Sequence, residues 1–420
     1  MKKFFLFLLV FAFTFSPFCN FKKAVFVARA ESSQPFKMDA GSQFAPAKNV
    51  QKAPKNNDAN PQPAPEIKLA PSAKAALLMC ADTGTVIFEN NADERLPIAS
   101  MTKMMTLLLV FEAIDAGKIS VDSKVTISPN AAAAEGSQAF LDAGQAYSVE
   151  DLIKTVVIAS ANDSAVALAE ALCGTEKHFA LEMNKKAQEL GLKNTHFSNA
   201  TGLPAAEHYS TARDCAKIYS KITNNALYSK YSRVWMDELV HPSGRKTELV
   251  NTNRLVKTYS GCSSGKTGYT SEAKYCLTCS ATRAGTNLIA SVLGEPDSKT
   301  RFSEVAEMFN FGFANFESKP ILNSEHLATA VLVKGGKTGE IIATPEKDYY
   351  DFVKKGEATT LTYEICPFEL RAPVKIGEKV GEILIVDKSG AIKEKIALIA
   401  TTGDEKLTLK DTFSKIVEAW

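Results

Sequence analysis

The chain changes its hydrophobic period near Pro320, and that change limits the folds open to it. From Ser100 to about Leu190, apolar residues recur three and four apart, as in "MMTLLLVFEAI" and "SVEDLIKTVVIAS". That is the period of helices laid on a core. Beyond Pro320 come short β-rich runs, "ATAVLVKGG", "GEIIAT", "ATTLTYEI", "EILIVD" and "KIALIAT", divided by Gly, Lys and Glu turns. The two textures bury their apolar faces in different ways, so the sequence reads as two domains. With 420 residues and 45% hydrophobic content, the chain can fill two ordinary cores.

The first domain reads as α+β, with helices around an antiparallel sheet. "AALLMCADTGTVIFENN" gives two strands around the Asp82-Thr83-Gly84 turn, and "KYCLTCSATR" with "NLIASVLGE" gives an antiparallel hairpin through Ala284-Gly285. Ahead of it, Lys2 and Lys3 precede the apolar run "FFLFLLVFAFTF", and "ARA" ends at Ala30, the pattern of an export signal. The expected order is a signal over 1–30, a disordered Pro- and Asn-rich spacer over 31–72 and a helix-and-sheet domain over 73–318. A small all-β domain over 319–402 and an amphipathic helical segment over 403–420 complete it.

Composition removes several function classes. A formal net charge of +2, with no basic run interleaved with aromatics, argues against a nucleic-acid partner. Once the signal is removed, seven of the eight cysteines remain, an odd number that excludes complete disulfide pairing. Cys276 and Cys279 lie three apart on a strand, face opposite sides and make no zinc site. His178, His196, His208 and His241 have no ligand spacing, so neither a metal nor an organic cofactor is expected.

In "PIASMTKMMT", Ser100 opens a helical run and Lys103 follows three residues on, close enough along one helix face for hydroxyl and amine to meet. Alone the pattern is weak, since Ser243, Ser263 and Ser271 also carry a lysine three residues later. Two further motifs strengthen it. "SAND" places Ser160 and Asn162 in the break between two helical segments, and "GKTGYT" places Lys266, Thr267 and Gly268 at the entry to a strand. Ser100 would attack a carbonyl to form an acyl-enzyme. Lys103 accepts the serine proton only when neutral, and burial beside Lys266 would lower its pKa. Ser160 would relay a proton to the leaving amine, while Asn162 would hold Lys103 and the substrate amide. Lys266 and Thr267 would bind a carboxylate, Gly268 would let the substrate backbone lie close, and the N–H groups of Ser100 and Tyr269 would form an oxyanion hole.

With "SMTKMMT", "SAND", "KNTHFSNATGLP", "HYSTARD", "NTNRL" and "KTGYT", the sequence resembles the low-molecular-weight penicillin-binding proteins, the serine-type D-alanyl-D-alanine carboxypeptidases. The resemblance runs from about Ala75 to the C-terminus and implies a β-lactamase/transpeptidase-like catalytic domain. It places Ser100, Lys103, Ser160 and Lys266 at the family's catalytic positions, and Asn162, Thr267 and Gly268 at its substrate contacts. It also implies an arginine for the terminal carboxylate, matched best by Arg301 with Arg283 as competitor. Tyr269 stands where many relatives carry histidine. The implied substrate is the peptidoglycan pentapeptide, and β-lactams are the implied covalent inhibitors.

Alternatives with the same motifs are a class A β-lactamase, a D-Ala endopeptidase and a non-catalytic muropeptide or β-lactam sensor. The β-lactamase needs a water-activating carboxylate, and none lies between Leu190 and Ala206. "GCSSG" at 261–265 matches a nucleophile-elbow pattern, but a strand rather than a helix follows it. A second KTG, Lys337 to Gly339, reads as a hairpin turn. Last, Leu409, Phe413, Ile416, Val417 and Trp420 form one helical stripe ending at the terminus, which fits an anchor lying on a membrane surface. The protein is thus expected to be exported and peripheral on the outer face of the cytoplasmic membrane.

Overall fold

The strand β1 (Ala75–Cys80) is buried at every residue, which a strand can be only when both faces of its sheet are covered. In this computed structural model, which describes residues 68–418, it lies inside a five-stranded sheet. The expected export signal and nearly all of the spacer lie outside the described residues. The other strands are β2 (Val86–Asn90), β3 (Cys262–Thr270), β4 (Lys274–Arg283) and β5 (Thr286–Glu295). Their order is β2-β1-β5-β4-β3, with every neighbour antiparallel. Ala284 and Gly285 join β4 to β5 at φ 46° and 76°, the left-handed pair that a tight hairpin turn requires.

Side-chain alternation splits the core into two layers. Leu77, Met79, Cys276, Ile289 and Leu293 face a helical layer that includes α1 (Lys103–Asp115), α2 (Val149–Ile158) and α3 (Asn162–Cys173). Leu78, Leu277, Cys279, Ala290 and Val292 face α4 (Ser298–Asn315) through Phe302, Val305, Met308 and Phe309. Cys276 and Cys279 therefore point to opposite layers, and all seven described cysteines are free thiols. The packed chain starts early, with Ala70 fully buried and the Ser72 N–H donating to the Glu304 carboxylate. Among the described residues this unit runs from Lys68 to Leu327 and takes back Lys347–Leu361, whose strand Tyr349–Lys354 pairs with Phe316–Leu322.

The second unit comprises Ala328–Glu346 and the chain from Thr362 onward. Its six strands are β6 (Thr329–Lys334), β7 (Glu340–Pro345), β8 (Leu361–Pro367), β9 (Leu370–Arg371), β10 (Lys379–Asp387) and β11 (Ile392–Ala400), in the order β8-β10-β11-β7-β6-β9. The second KTG closes the turn between β6 and β7, where the N–H groups of Thr338 and Gly339 donate to the buried Asp404 carboxylate. The last helix, α5, spans Leu409–Glu418. Thr408 and Asp411 cap it reciprocally, each side chain accepting the other's backbone N–H at 2.9 and 3.2 Å. Its residues Leu409, Phe413 and Val417 are 91%, 70% and 60% exposed. Among the described residues no helix is long and apolar enough to cross a membrane.

One irregularity positions the site. Before α1 the chain makes a 3-10 turn, Ala99–Thr102, entered through Ala99 at a left-handed φ of 48°. Two glycines leave room for it. A Cβ on Gly268 of β3 would sit 2.5 Å from the Ile98 carbonyl, and one on Gly202, at φ 84°, would collide with the Ala99 carbonyl and the Thr102 hydroxyl. The missing side chain of Gly268 thus first serves the packing of the chain's own Ile98–Ala99 backbone. Gly202→Ala combines left-handed strain with overpacking against backbone and is expected to lower stability by about 3 kcal/mol. A urea midpoint unchanged from the parent protein would contradict this.

Candidate active site

The four groups singled out by the motifs come together from four separate elements. Ser100 lies half-buried on the 3-10 turn, and Lys103 begins α1 with its side chain fully buried. Lys103 Nζ lies 2.9 Å from Ser100 Oγ and donates to the Thr201 carbonyl at 2.8 Å. Ser160 sits between α2 and α3 at a left-handed φ of 62°, a conformation a serine holds only when its surroundings impose it. Its hydroxyl accepts from Lys266 Nζ at 2.6 Å. Lys266, fully buried, lies in the middle of β3 rather than at its entry, because Cys262–Gly265 are already strand.

Electrostatics divide the two amines. Burial drives the pKa of Lys103 well below its ordinary value, and the Lys266 charge lowers it further, partly offset by Asp163 and Glu176. Burial and the Arg301 charge bring Lys266 down to about 7. When Lys103 is neutral its contact with Ser100 reverses: the hydroxyl donates into the amine lone pair while an amine N–H stays on the Thr201 carbonyl. That arrangement fits a base poised on a nucleophile.

The remaining motif residues surround this core. Lys103 is held by Thr201 rather than by Asn162, whose Nδ2 donates to the Glu135 carbonyl and whose Oδ1 is buried without a partner. Thr267 donates to the Thr252 hydroxyl at 2.8 Å. Tyr269 is 56% exposed with its ring 4.4 Å from that of Tyr275. Arg301, on α4, is buried and donates through Nη1 to the carbonyls of Gly268 and Cys276, so its charge lies behind β3. Arg283 is engaged elsewhere, over the Tyr259 ring and donating to the Ser260 carbonyl.

Sequence reasoning missed two supports. The Thr201 carbonyl is one, because a backbone acceptor leaves no mark in a motif. Asp163 is the other: its buried carboxylate accepts from the N–H groups of Ala139, Leu141 and Ser164 and ties the loop beside Asn162 to α3. The elbow pattern fails on structure. Its serine, Ser263, is a half-buried strand residue whose hydroxyl lies 3.4 Å from that of Ser280, and no helix follows it.

Comparison with known proteins agrees with this geometry. A family model described as D-alanyl-D-alanine carboxypeptidase matches residues 59–297, and one described as penicillin-binding protein 5, C-terminal domain, matches 316–406. The D-alanyl-D-alanine carboxypeptidase DacF of Bacillus subtilis is 42% identical over 327 residues, covering 77% of this chain and 84% of its own. DacC of Escherichia coli is 36% identical over 326 residues, with 75% and 80% covered. Among solved structures, penicillin binding protein 5 from Haemophilus influenzae superposes with a TM-score of 0.62 at 30% identity, covering 82% of this chain and 100% of that one.

The two lysines set the expected pH dependence. With Lys103 read as the base and Lys266 as the cation for the carboxylate, the rate of acylation by a labelled penicillin should rise with pH through the lowered pKa of Lys103. It should then fall above about pH 7 as Lys266 loses its proton. In Lys266→Arg the cation persists, and the alkaline decline should be absent up to about pH 10. An alkaline limb unmoved in this variant would assign it to another group.

Proposed function

The chain belongs to the D-alanyl-D-alanine carboxypeptidase family, and from that premise we propose how its residues divide the reaction. The protein is a serine D-alanyl-D-alanine carboxypeptidase of the cell wall and a penicillin-binding protein. The observation that carries the assignment of roles is the buried, charge-depressed Lys103 at 2.9 Å from Ser100 Oγ.

Ser100 Oγ attacks the carbonyl of the penultimate D-alanine while its proton passes to neutral Lys103. The oxyanion is met by the N–H groups of Ser100 and Tyr269. As the C–N bond breaks, Ser160 hands a proton to the departing amine, replenished from the lysine pair, and free D-alanine leaves. Water then attacks the ester and returns the proton to Ser100. Lys266 and Thr267 take the terminal carboxylate, Arg301 adds positive charge from behind the strand, and Asn162 and the backbone at Gly268 align the peptide. A β-lactam enters the same path, but its leaving amine stays attached and the acyl-enzyme persists. The β-lactamase alternative is not favoured, since the family models account for both the catalytic segment and the segment that follows it.

We further place the enzyme on the outer face of the cytoplasmic membrane, held there by α5. Support comes from the exposed stripe of Leu409, Phe413 and Val417 on a helix too short to span a bilayer.

Three outcomes are expected. D-alanine release from a pentapeptide should fall about a thousandfold in Lys103→Arg, which keeps the charge but cannot accept the proton. Penicillin label should map by peptide mass to Ser100, and label on Ser263 would sink the assignment. Removing residues 409–420 should leave D-alanine release intact and abolish co-sedimentation with anionic vesicles. Equal sedimentation of both forms would remove the anchor.

A further inference from the structure

Thr102 ends the 3-10 turn that carries Ser100, and its hydroxyl lies 2.7 Å from Nε2 of His208, 106 residues away. Both side chains are buried. The other ring nitrogen fixes the direction of this bond. The Ser198 backbone N–H points at His208 Nδ1 from 3.1 Å, and an N–H can meet only an unprotonated nitrogen. Nδ1 is therefore the acceptor, Nε2 carries the hydrogen, and it donates to Thr102 Oγ1. Burial, with the neighbouring His196 adding to it, keeps this imidazole neutral by lowering its pKa to about 4. The Phe197 ring stands edge-on at 5.8 Å and fills the space beside it.

The turn needs an external tie. It is entered through a strained residue, Ala99, and no side chain caps either the turn or the start of α1. The loop that supplies His208 also supplies the Thr201 carbonyl to Lys103. One loop thus touches the nucleophile's turn through Thr102 and the base through a backbone oxygen.

We propose that His208 is a positioning residue for acylation: through Thr102 it fixes the turn so that Ser100 Oγ stays in register with Lys103 Nζ. It contacts no reacting atom. The inference rests on Ser100 being the acylated serine.

The test compares second-order acylation rates with a labelled penicillin, alongside thermal midpoints and peptide mapping of the label. His208→Phe keeps the packing on Phe197 and loses both nitrogens, and should acylate about tenfold more slowly or worse. His208→Gln presents an oxygen to the Ser198 N–H and an amide N–H to Thr102, and should stay within about threefold of the parent. Thr102→Val should match the His208→Phe loss, and the double variant should lose no more than either alone. Should the Phe variant fail to fold, Thr102→Val alone carries the test. Parental rates in the Phe and Val variants, a Gln variant no faster than Phe, or additive losses would each overturn the tie. Label on another serine in the parent would overturn the Ser100 reading and the tie with it. Label on Ser100 with equal rates throughout overturns the tie alone.

Discussion

The site depends on two lysine amines buried in one interior, each fully withdrawn from water. In water two ammonium groups would both stay charged. Inside the protein each charge costs desolvation, and each raises the cost of the other, so the pair is pushed towards one proton rather than two. Much of the surrounding structure serves this arrangement. The Thr201 carbonyl gives Lys103 an acceptor, Ser160 gives Lys266 one, and the Asp163 carboxylate keeps the nearby potential from rising further.

Holding those amines in place explains the irregular backbone. Ser160 and Ala99 both adopt left-handed conformations, and both lie where a helix meets the site. Regular helix would carry Ser160 out of reach of Lys266 and would smooth away the turn that presents Ser100. Strain of this kind persists only where packing overrides it. Here the packing comes from helices pressed on one face of a sheet and from Gly202 and Gly268, which admit the turn's own backbone.

Much of this was legible in the sequence because it is local. The strands β1, β4 and β5 follow from apolar runs and turn residues, and Ser100, Lys103, Ser160 and Lys266 from three short motifs. What was not legible depends on distant closure. "GCSSG" looked like a turn before the strand, yet its hydroxyl-rich residues are strand, because Tyr219 and Ser280 satisfy Ser264 inside the core. Asn162 was expected on Lys103, but the partner is a carbonyl brought from 98 residues away, which no residue identity announces. In the sequence His208 shows only a lack of ligand spacing, and its part emerges when its two nitrogens are traced to Ser198 and Thr102.

The sheet separates two apolar layers, yet it is not an electrical wall. Arg301 belongs to the rear layer, where its guanidinium lies against Phe302 and Tyr275 and bonds the carbonyls of Gly268 and Cys276. Its charge is still felt by Lys266 on the far side of the strand. A single thickness of backbone, with its peptide dipoles aligned on that guanidinium, transmits the field that steric contact cannot. The rear helix therefore acts as a remote electrode for the front site, and changes in its charge are free to retune the acid-base chemistry without reshaping the cleft a substrate meets.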